Sequence, residues 1–261
     1  MEMPIDNFKF VEDNLLRFDN DGEFYMALVL KRRKDTKGRM AEGATEDVRL
    51  IKHYFIYDKD YLEKKKESIK GLCEQNNARA YIIPQRRSCR LVLWELHDKV
   101  CDTLKRGSMN VHFDHLLRTC VAGLHETAEK WHKRWVIDID EDDADTFNIA
   151  KAWRNKHNNP VSDSFVVRHF AEWIAYKIRS ALTLNYGNRS NEALQFMPKV
   201  GHNYNEQDIT ILKTPHGFHI VTPPFNRDLN ALKNYFGEEA YPLSDWIKPD
   251  AMALLYAPTT I

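Results

Sequence analysis

Short runs of apolar and β-branched residues, bounded by polar loops, predict three strands in the first third of the chain. They lie at Glu23–Asp35, Val48–Asp58 and Ala78–Pro84. Between the second and third strands, apolar residues recur at helical spacing as far as Asn76 and Asn77, a pair typical of a helix C-terminus. A second helix is predicted over residues 88–107, because Ser88 is a good N-cap and Gly107 is common just beyond a helix end.

The pattern in the rest of the chain predicts a helix, a strand, two helices and then three strands. In that order, these elements cover residues 114–132, 135–140, 144–157, 162–184, 208–215, 218–224 and 252–258. This order predicts an α/β (α+β) fold, since helices readily cover the apolar face of a sheet. We expect one core over 1–261 with two closely joined lobes, an N-terminal α/β lobe at approximately 1–110 and a second lobe at 111–261.

Charge and composition restrict the classes of protein that fit. The 261 residues include 38 basic and 38 acidic residues, a formal net charge of zero, and 43% hydrophobic residues. The apolar content is enough for a packed core, whereas the net charge favours nucleic-acid binding only through a local basic patch. Four cysteines without a CxxC pair indicate a reduced, intracellular (cytoplasmic) protein, and we recognise no secretory signal or membrane-spanning run.

The stretch "WVIDIDEDDAD" at 135–145 places two aspartates at the end of a buried-looking strand. Because side chains alternate along a strand, Asp138 and Asp140 share one face, and Ile137 and Ile139 share the other. Two carboxylates on one face suit Mg²⁺ or Mn²⁺, which prefer oxygen ligands. A helix N-terminus and a solvated loop are the alternatives, and we expect the acids at positions 142, 143 and 145 to favour the N-terminus of the next helix.

A second motif, "LKTPHGFHIVT" at 212–222, predicts a tight strand–turn–strand hairpin. Gly217 would let the backbone turn sharply or approach a ligand closely. His219 begins the return strand and could donate to a phosphate, with Lys213 and Thr214 adding a charge and a hydroxyl. Taken alone, the motif also fits an ordinary hairpin with a histidine of no special role.

Together, the two motifs resemble the archaeo-eukaryotic primase superfamily, whose pattern is hhDhD or hhDhE, then [ST]xxGxHhh, then hD, where h is hydrophobic. "WVIDID" matches the first element and "TPHGFHIV" matches the second. The third element has three candidates, of which Asp250 in "WIKPDAMALLY" is preferred over Asp228 and Asp245. The resemblance covers mainly residues 130–255, and the long interval between its first two motifs holds two predicted helices.

The resemblance implies an α/β lobe joined to a catalytic module like an RNA-recognition motif, with helical insertions. Three acids would hold two divalent metal ions, Mg²⁺ or Mn²⁺, and take part in catalysis: Asp138, Asp140 and Asp250. Four residues of the second motif would bind the nucleotide, and the last of them would contact its triphosphate and also act in catalysis: Lys213, Thr214, Gly217 and His219.

The implied reaction is nucleotidyl transfer from an NTP or dNTP to a 3′-hydroxyl during DNA replication or repair. Its partners would be nucleoside triphosphates, single-stranded or primed DNA and a replication helicase, without a membrane. A core lacking accessory domains is what a phage or mobile element would encode.

Two basic segments follow predicted strands and could contact the phosphates of a nucleic acid. Their candidate residues are Arg32, Arg33, Arg86, Arg87 and Arg90. If both strands end at one edge of a sheet, these arginines would form a single basic patch despite the zero net charge. The alternative is a solvated edge, where basic side chains discourage pairing with another sheet.

Other classes of function lack their motifs. The chain has no GxxxxGK[ST], GxGxxG or KxDG sequence, and no HExxH or paired-cysteine cluster accompanies its eleven histidines. A metal-dependent nuclease stays open, because paired carboxylates also serve hydrolysis. A non-catalytic nucleic-acid-binding module on the same scaffold stays open as well.

Overall fold

A computed structural model describes residues 3–18, 22–32, 48–107, 113–122, 133–183, 191–196, 208–237, 243–248 and 252–259. Its strands are β1 (Ile5–Asp6), β2 (Glu23–Arg32), β3 (Val48–Ile56), β4 (Arg79–Ser88), β5 (Trp135–Asp140), β6 (Thr210–Thr214), β7 (Gly217–Thr222), β8 (Ile247–Lys248) and β9 (Ala253–Ala257). Its helices are α1 (Phe8–Asn14), α2 (Lys59–Asn76), α3 (Cys89–Lys105), α4 (Phe113–Ala122), α5 (Ala144–Lys156), α6 (Val166–Thr183), α7 (Asn191–Phe196), α8 (Leu229–Phe236) and α9 (Leu243–Trp246), with a 3₁₀ turn at Asp163–Phe165.

Local sequence accounts for where several of these helices begin and end. The side chains of Asp58 and Ser88 each accept a hydrogen bond from the backbone N–H three residues further on, which caps α2 and α3. Asn77 ends α2 in the left-handed conformation, with φ at 46°, which asparagine tolerates better than most residues. The predicted caps at Asn77 and Ser88 are confirmed. The predicted helix over 114–132 corresponds in part to α4, and residues 123–132 lie outside the described part of the chain.

Within the described residues, the strands form two sheets whose neighbouring strands are all antiparallel. The larger sheet has the order β1-β9-β4-β2-β3, and the smaller has the order β6-β7-β5-β8. Helices pack around both sheets, so the molecule has an α+β fold, as predicted. Among the helices that the structure describes, none is both long and apolar enough to cross a membrane.

The smaller sheet is built from the element order β-α-β-β-α-β, as in the split βαβ fold. The order consists of β5, helices α5 to α7, the hairpin β6–β7, helices α8 and α9, and β8. It agrees with the predicted module resembling an RNA-recognition motif, with a long helical insertion after its first strand. Strands β5 and β7 lie in the middle of this sheet, so the two aspartates of the first motif and Gly217 and His219 of the second occupy central strands.

The two faces of the smaller sheet have different surroundings. Ile137 and Ile139 are fully buried in a cluster formed with helices such as α6. Val136, on the opposite face, belongs to a second cluster with residues of the larger sheet, including Ala80 and Leu255. Because side chains alternate along β5, its two aspartates share the face of Val136 and point towards the larger sheet.

The last strand corrects the predicted boundary between the lobes. Strand β9 lies between β1 and β4 in the larger sheet, although it falls within the range 111–261 predicted for the second lobe. All five residues of β9, "ALLYA", are buried. An apolar strand of this kind is stable where both of its edges are paired and both of its faces are covered, and the interior of the larger sheet offers such a position. The two lobes are therefore tied together by the C-terminal strand.

Candidate active site

The two motifs meet on neighbouring strands. Strands β5 and β7 pair in a register that sets Asp138 opposite His219 and Asp140 opposite Gly217. The Nε2 atom of His219 lies 3.2 Å from a carboxylate oxygen of Asp138. Sheet pairing thus joins a carboxylate and an imidazole that are 81 positions apart in the sequence.

Gly217 permits this close approach of the two strands. A Cβ atom added there would lie 2.0 Å from the carbonyl oxygen of Ile139 and 2.9 Å from the backbone nitrogen of Glu141. Its φ of 152° is also unfavourable for residues with a side chain. The close approach observed at this glycine is to the strand that carries the two aspartates, whereas the predicted close approach to a ligand stays a prediction.

The imidazole of His219 is held in one tautomer. Its Nδ1 atom accepts a hydrogen bond of 3.2 Å from the backbone N–H of Leu254 in β9. An Nδ1 atom that accepts carries no proton, so the proton of the neutral ring is on Nε2, the atom facing Asp138. His219 is nearly buried, with 9% of its surface exposed, and it presents an N–H donor to Asp138.

A pocket opens between the two sheets around this pair. The smaller sheet and its hairpin turn contribute Asp138, Asp140, Thr214, Pro215, His216 and His219. The larger sheet contributes Arg32, Arg79, Tyr81 and Leu254. One wall is acidic and the other is basic, so the pocket offers carboxylate oxygens on one side and N–H donors on the other.

The two arginines are held by neighbours at the pocket. The Nη1 atom of Arg32 donates to the hydroxyl of Tyr81 over 3.2 Å. The Nη2 atom of Arg79 lies 3.4 Å from Nε2 of His216. Both arginines come from the larger sheet, so the pocket depends on how the two sheets pack.

The other predicted residues of the hairpin motif differ in position. Thr214 lines the pocket, and its hydroxyl accepts a hydrogen bond from the backbone N–H of His216, which stabilises the turn. Lys213 is exposed and shares the face of Ile211, which packs on the helix-side cluster, so the structure does not bring it into the pocket. The charge of Lys213 instead acts on Glu141: burial raises the pKa of Glu141, and the positive charge of Lys213 opposes this rise.

The acidic run after Asp140 divides between two roles. Asp143 caps α5, because its carboxylate accepts hydrogen bonds from the backbone N–H and the hydroxyl of Thr146. These hydrogen bonds lower the pKa of Asp143. Asp145 lies in the first turn of the same helix, where the helix dipole favours an acid. Asp142 instead contacts Nδ1 of His216 at 2.6 Å, so the expected helix role holds for the other two acids.

Two of the three candidates for the third acidic position, Asp228 and Asp245, lie within the described residues. Asp250 lies outside them, between β8 and β9. Asp228 is the N-cap of α8 and accepts hydrogen bonds from the backbone N–H groups of Asn230 and Ala231. Asp245 is exposed in α9 and does not line the pocket. Neither of these two rivals therefore lies with Asp138.

The predicted single basic patch is wrong. Strands β2 and β4 are antiparallel, with Leu30 opposite Arg79 and Phe24 opposite Arg87, so the ends of the two strands lie at opposite ends of the sheet. Arg32 reaches the pocket, whereas Arg33 lies outside the described residues.

The arginines at the far end of β4 have structural contacts. Arg86 is buried and forms a 3.0 Å ion pair with the buried Glu23. Arg87 is 1% exposed, and its Nε atom donates to the carbonyl of Val121. Arg90 is the exposed member of this group. Burial therefore argues against a contact of Arg86 and Arg87 with nucleic acid.

Sequence reasoning missed three polar residues of the pocket, as well as Pro215 and Leu254. Arg79 and Tyr81 lie on β4, and His216 lies in the hairpin turn. A charged residue at the start of the otherwise apolar segment "RAYII" was a usable signal, because a buried arginine normally has a polar partner. The partner itself could not be inferred, since it comes from the other sheet.

The donor atoms of the pocket fit a hard divalent cation. Asp138 and Asp140 supply carboxylate oxygens on one wall, and Mg²⁺ is commonly bound by one or two carboxylates together with substrate phosphates. Among the residues that the structure describes, no group of three histidine, cysteine or acidic side chains is arranged to hold a metal. The carboxylates of Asp138 and Asp140 are the acidic oxygen donors that the described part of this pocket offers.

Comparisons with protein-family models, curated proteins and solved structures give no match to this chain.

Proposed function

We propose that this protein is a primase- or polymerase-like nucleotidyltransferase, which transfers a nucleotide from an NTP or dNTP to a 3′-hydroxyl of DNA with Mg²⁺ or Mn²⁺. The observation that carries the proposal is the cross-strand pair of Asp138 and His219 in a pocket shared with Arg32 and Arg79. The same pocket thus brings together residues of both sequence motifs with Arg32 and Arg79, which belong to neither motif.

The basic wall suits the phosphates of a nucleotide. Arginine offers several N–H donors in a planar fork that matches phosphate oxygens, and it keeps its charge at any physiological pH. Arg32 and Arg79 supply two such groups from the larger sheet. His219 lines the same pocket, with its Nε2–H group directed at Asp138.

The acidic wall suits the metal. Asp138 and Asp140 would hold it, with Asp250 as the proposed third ligand. When bound, the metal neutralises charge on the phosphates and on the attacking oxygen. His219 orients the Asp138 carboxylate through its Nε2–H group, and Leu254 in turn orients His219. The larger sheet thereby takes part in arranging the carboxylates of the smaller one.

An incorporation assay tests this proposal. The wild type and the double variant Asp138→Asn with Asp140→Asn would be given labelled primed or single-stranded DNA, NTPs or dNTPs, and Mg²⁺ or Mn²⁺. We expect incorporation by the wild type and its loss in the double variant. A matched control is Asp102→Asn with Asp145→Asn, because these two exposed aspartates lie outside the pocket. Circular dichroism melting curves would establish that each variant is folded.

The outcomes separate the competing functions. Equal incorporation by the wild type and the Asp138/Asp140 variant would refute the assigned site. Shortening of the labelled strand without nucleotide would identify a metal-dependent nuclease instead. DNA binding with a marked salt dependence, without either reaction, would identify a non-catalytic module.

The proposal includes a cellular setting and a partner. The four cysteines are free, in keeping with a reducing intracellular compartment. A replication helicase is the proposed protein partner, and co-purification with one would test that part separately.

A further inference from the structure

A chain of three side chains crosses the mouth of the pocket. Arg79, from the larger sheet, reaches Nε2 of His216 in the hairpin turn at 3.4 Å. The other ring nitrogen, Nδ1 of His216, lies 2.6 Å from a carboxylate oxygen of Asp142. His216 is not a required position of the [ST]xxGxHhh pattern, and Asp142 lies beyond the paired aspartates of "WVIDID".

The donor and the acceptor in each of these two hydrogen bonds follow from the chemical groups involved. A guanidinium can only donate, so Nε2 of His216 must accept from Arg79. A carboxylate can only accept, so Nδ1 of His216 carries the proton and donates to Asp142. His216 is therefore in the Nδ1–H tautomer, the opposite of His219. Asp142 fixes this tautomer and thereby leaves an acceptor on the side of Arg79.

We propose that His216 and Asp142 are positioning residues that hold the guanidinium of Arg79 towards a phosphate group in the pocket. This inference rests on the proposed function, since it assigns the basic wall of the pocket to the phosphates of a nucleotide. Asp142 orients His216, and His216 orients Arg79. In a preorganised site, less of the binding free energy is lost in ordering a long, flexible arginine.

The hydrogen bonds among Arg79, His216 and Asp142 contribute little to folding, so their role can be tested without loss of the fold. The side chains of His216 and Asp142 are 40% and 74% exposed, and ion pairs in water add little stability. The turn itself is held by backbone atoms of His216, which bond to Thr214 and to the N–H of Glu141. Substitution of the imidazole leaves those hydrogen bonds in place.

Two substitutions of His216 separate its two hydrogen bonds. In His216→Gln, the amide oxygen can take the place of Nε2 and still accept from Arg79. In His216→Asn, the shorter amide takes the place of Nδ1 and can reach Asp142, but nothing replaces the acceptor for Arg79. The probe is inorganic tripolyphosphate, whose binding would be measured by titration calorimetry at constant salt. We expect His216→Gln to stay within about threefold of the wild-type Kd and His216→Asn to weaken binding about tenfold, towards the level of Arg79→Met.

A variant at Asp142 separates positioning from a simple charge effect, because the two predict opposite changes in tripolyphosphate affinity. Removing a negative charge beside an anion site should tighten anion binding if Asp142 acts only through its charge. Positioning predicts the opposite, so Asp142→Ala should weaken tripolyphosphate binding. The matched control is the exposed pair of His97 and Asp98 on α3, 3.3 Å apart, where the same asparagine and glutamine substitutions of His97 should leave binding unchanged.

The outcomes distinguish this proposal from the proposed function. Nitrogen-15 NMR should show the Nδ1–H tautomer for His216 and the Nε2–H tautomer for His219, and the Nε2–H form at His216 would overturn the positioning role. Equal binding by the asparagine and glutamine variants, or tighter binding by Asp142→Ala, would overturn it as well while wild-type incorporation still stood. A wild type that binds no tripolyphosphate would refute both the anion site and this inference.

Discussion

Replacing Gly217 by alanine places a methyl group inside the strand pair that carries both motifs. The new Cβ would lie 2.0 Å from the carbonyl oxygen of Ile139 and 3.0 Å from its carbonyl carbon, and 2.9 Å from the backbone nitrogen of Glu141 just after the strand. Non-bonded heavy atoms normally stay about 3.5 Å apart. The obstructing atoms belong to the backbone of a central strand, so no side chain can rotate to relieve the overlap.

The cost follows from what must move. Strands β5 and β7 would have to separate by more than an ångström around Asp140 and Gly217, which breaks the ladder between them. Losing roughly two backbone hydrogen bonds in a buried place costs about 4 kcal/mol, since each leaves unpaired polar groups. For a protein of this size, that free energy lowers the Tm by about 8 °C or more.

A second glycine serves as a control with the opposite sign. Gly71 lies inside α2, and a Cβ atom added there would meet no atom within 4 Å. Gly71→Ala should stabilise the protein by about 0.5–1 kcal/mol, because alanine loses less backbone entropy in a helix. Thermal unfolding followed by circular dichroism would measure both variants.

The expected result is a large fall in Tm for Gly217→Ala and a small rise for Gly71→Ala. If Gly217→Ala melted within about 2 °C of the wild type, the close approach of β5 and β7 would be wrong. The joint placement of Asp138 and His219 would then be wrong with it. If Gly217→Ala does not fold at all, its soluble yield should fall far below that of Gly71→Ala, which ranks the stabilities of the two variants in the same order.

Three further predictions follow from other contacts. Arg86→Met should lower the free energy of unfolding by about 3–5 kcal/mol, because it removes the ion pair from the buried Glu23 carboxylate. Arg90→Met, at an exposed position, should change it by less than about 0.5 kcal/mol, and equal effects in urea denaturation would contradict the buried pair. Asp228→Ala should lower the free energy of unfolding by about 1 kcal/mol, because it removes a helix cap, and should leave nucleotide incorporation unchanged. A loss of incorporation without a loss of stability would instead identify Asp228 as a metal ligand. Burial raises the pKa of Asp6, but the hydrogen bonds from Lys70 and from the backbone N–H of Phe8 outweigh this effect and lower the pKa below 3.8. The difference in Tm between the wild type and Asp6→Asn should therefore be full near neutral pH and should shrink as the pH falls below 3.8. A difference that grows in acid would contradict the pairing of Asp6 with Lys70.

The acidic stretch shows why residue type alone does not assign a role. Asp140, Asp142 and Asp143 lie within four positions of each other, yet they line the pocket, bind a histidine and cap a helix, respectively. The period-2 alternation of a strand accounts for the pocket position and the start of α5 accounts for the cap. The contact of Asp142 depends on the hairpin turn, which is 74 positions away.

Local sequence determined a large part of the fold. The strands around both motifs, the helix caps at Ser88 and Asn77, and the hairpin with its glycine follow from patterns a few residues long. Such patterns act through backbone conformation and through nearest neighbours, so they are present in the sequence itself. The same holds for the separation of Ile137 and Ile139 from the two aspartates.

Only the tertiary structure decided which distant residues meet. The antiparallel register of β2 and β4 placed Arg32 near Arg79 and left Arg86 at the far end, buried beside Glu23. The return of β9 to the larger sheet brought Leu254 to His219, and the facing of the two sheets brought Arg79 to His216. These contacts depend on strand order and sheet packing, which arise from burial summed over the whole chain and have no signature in a short segment.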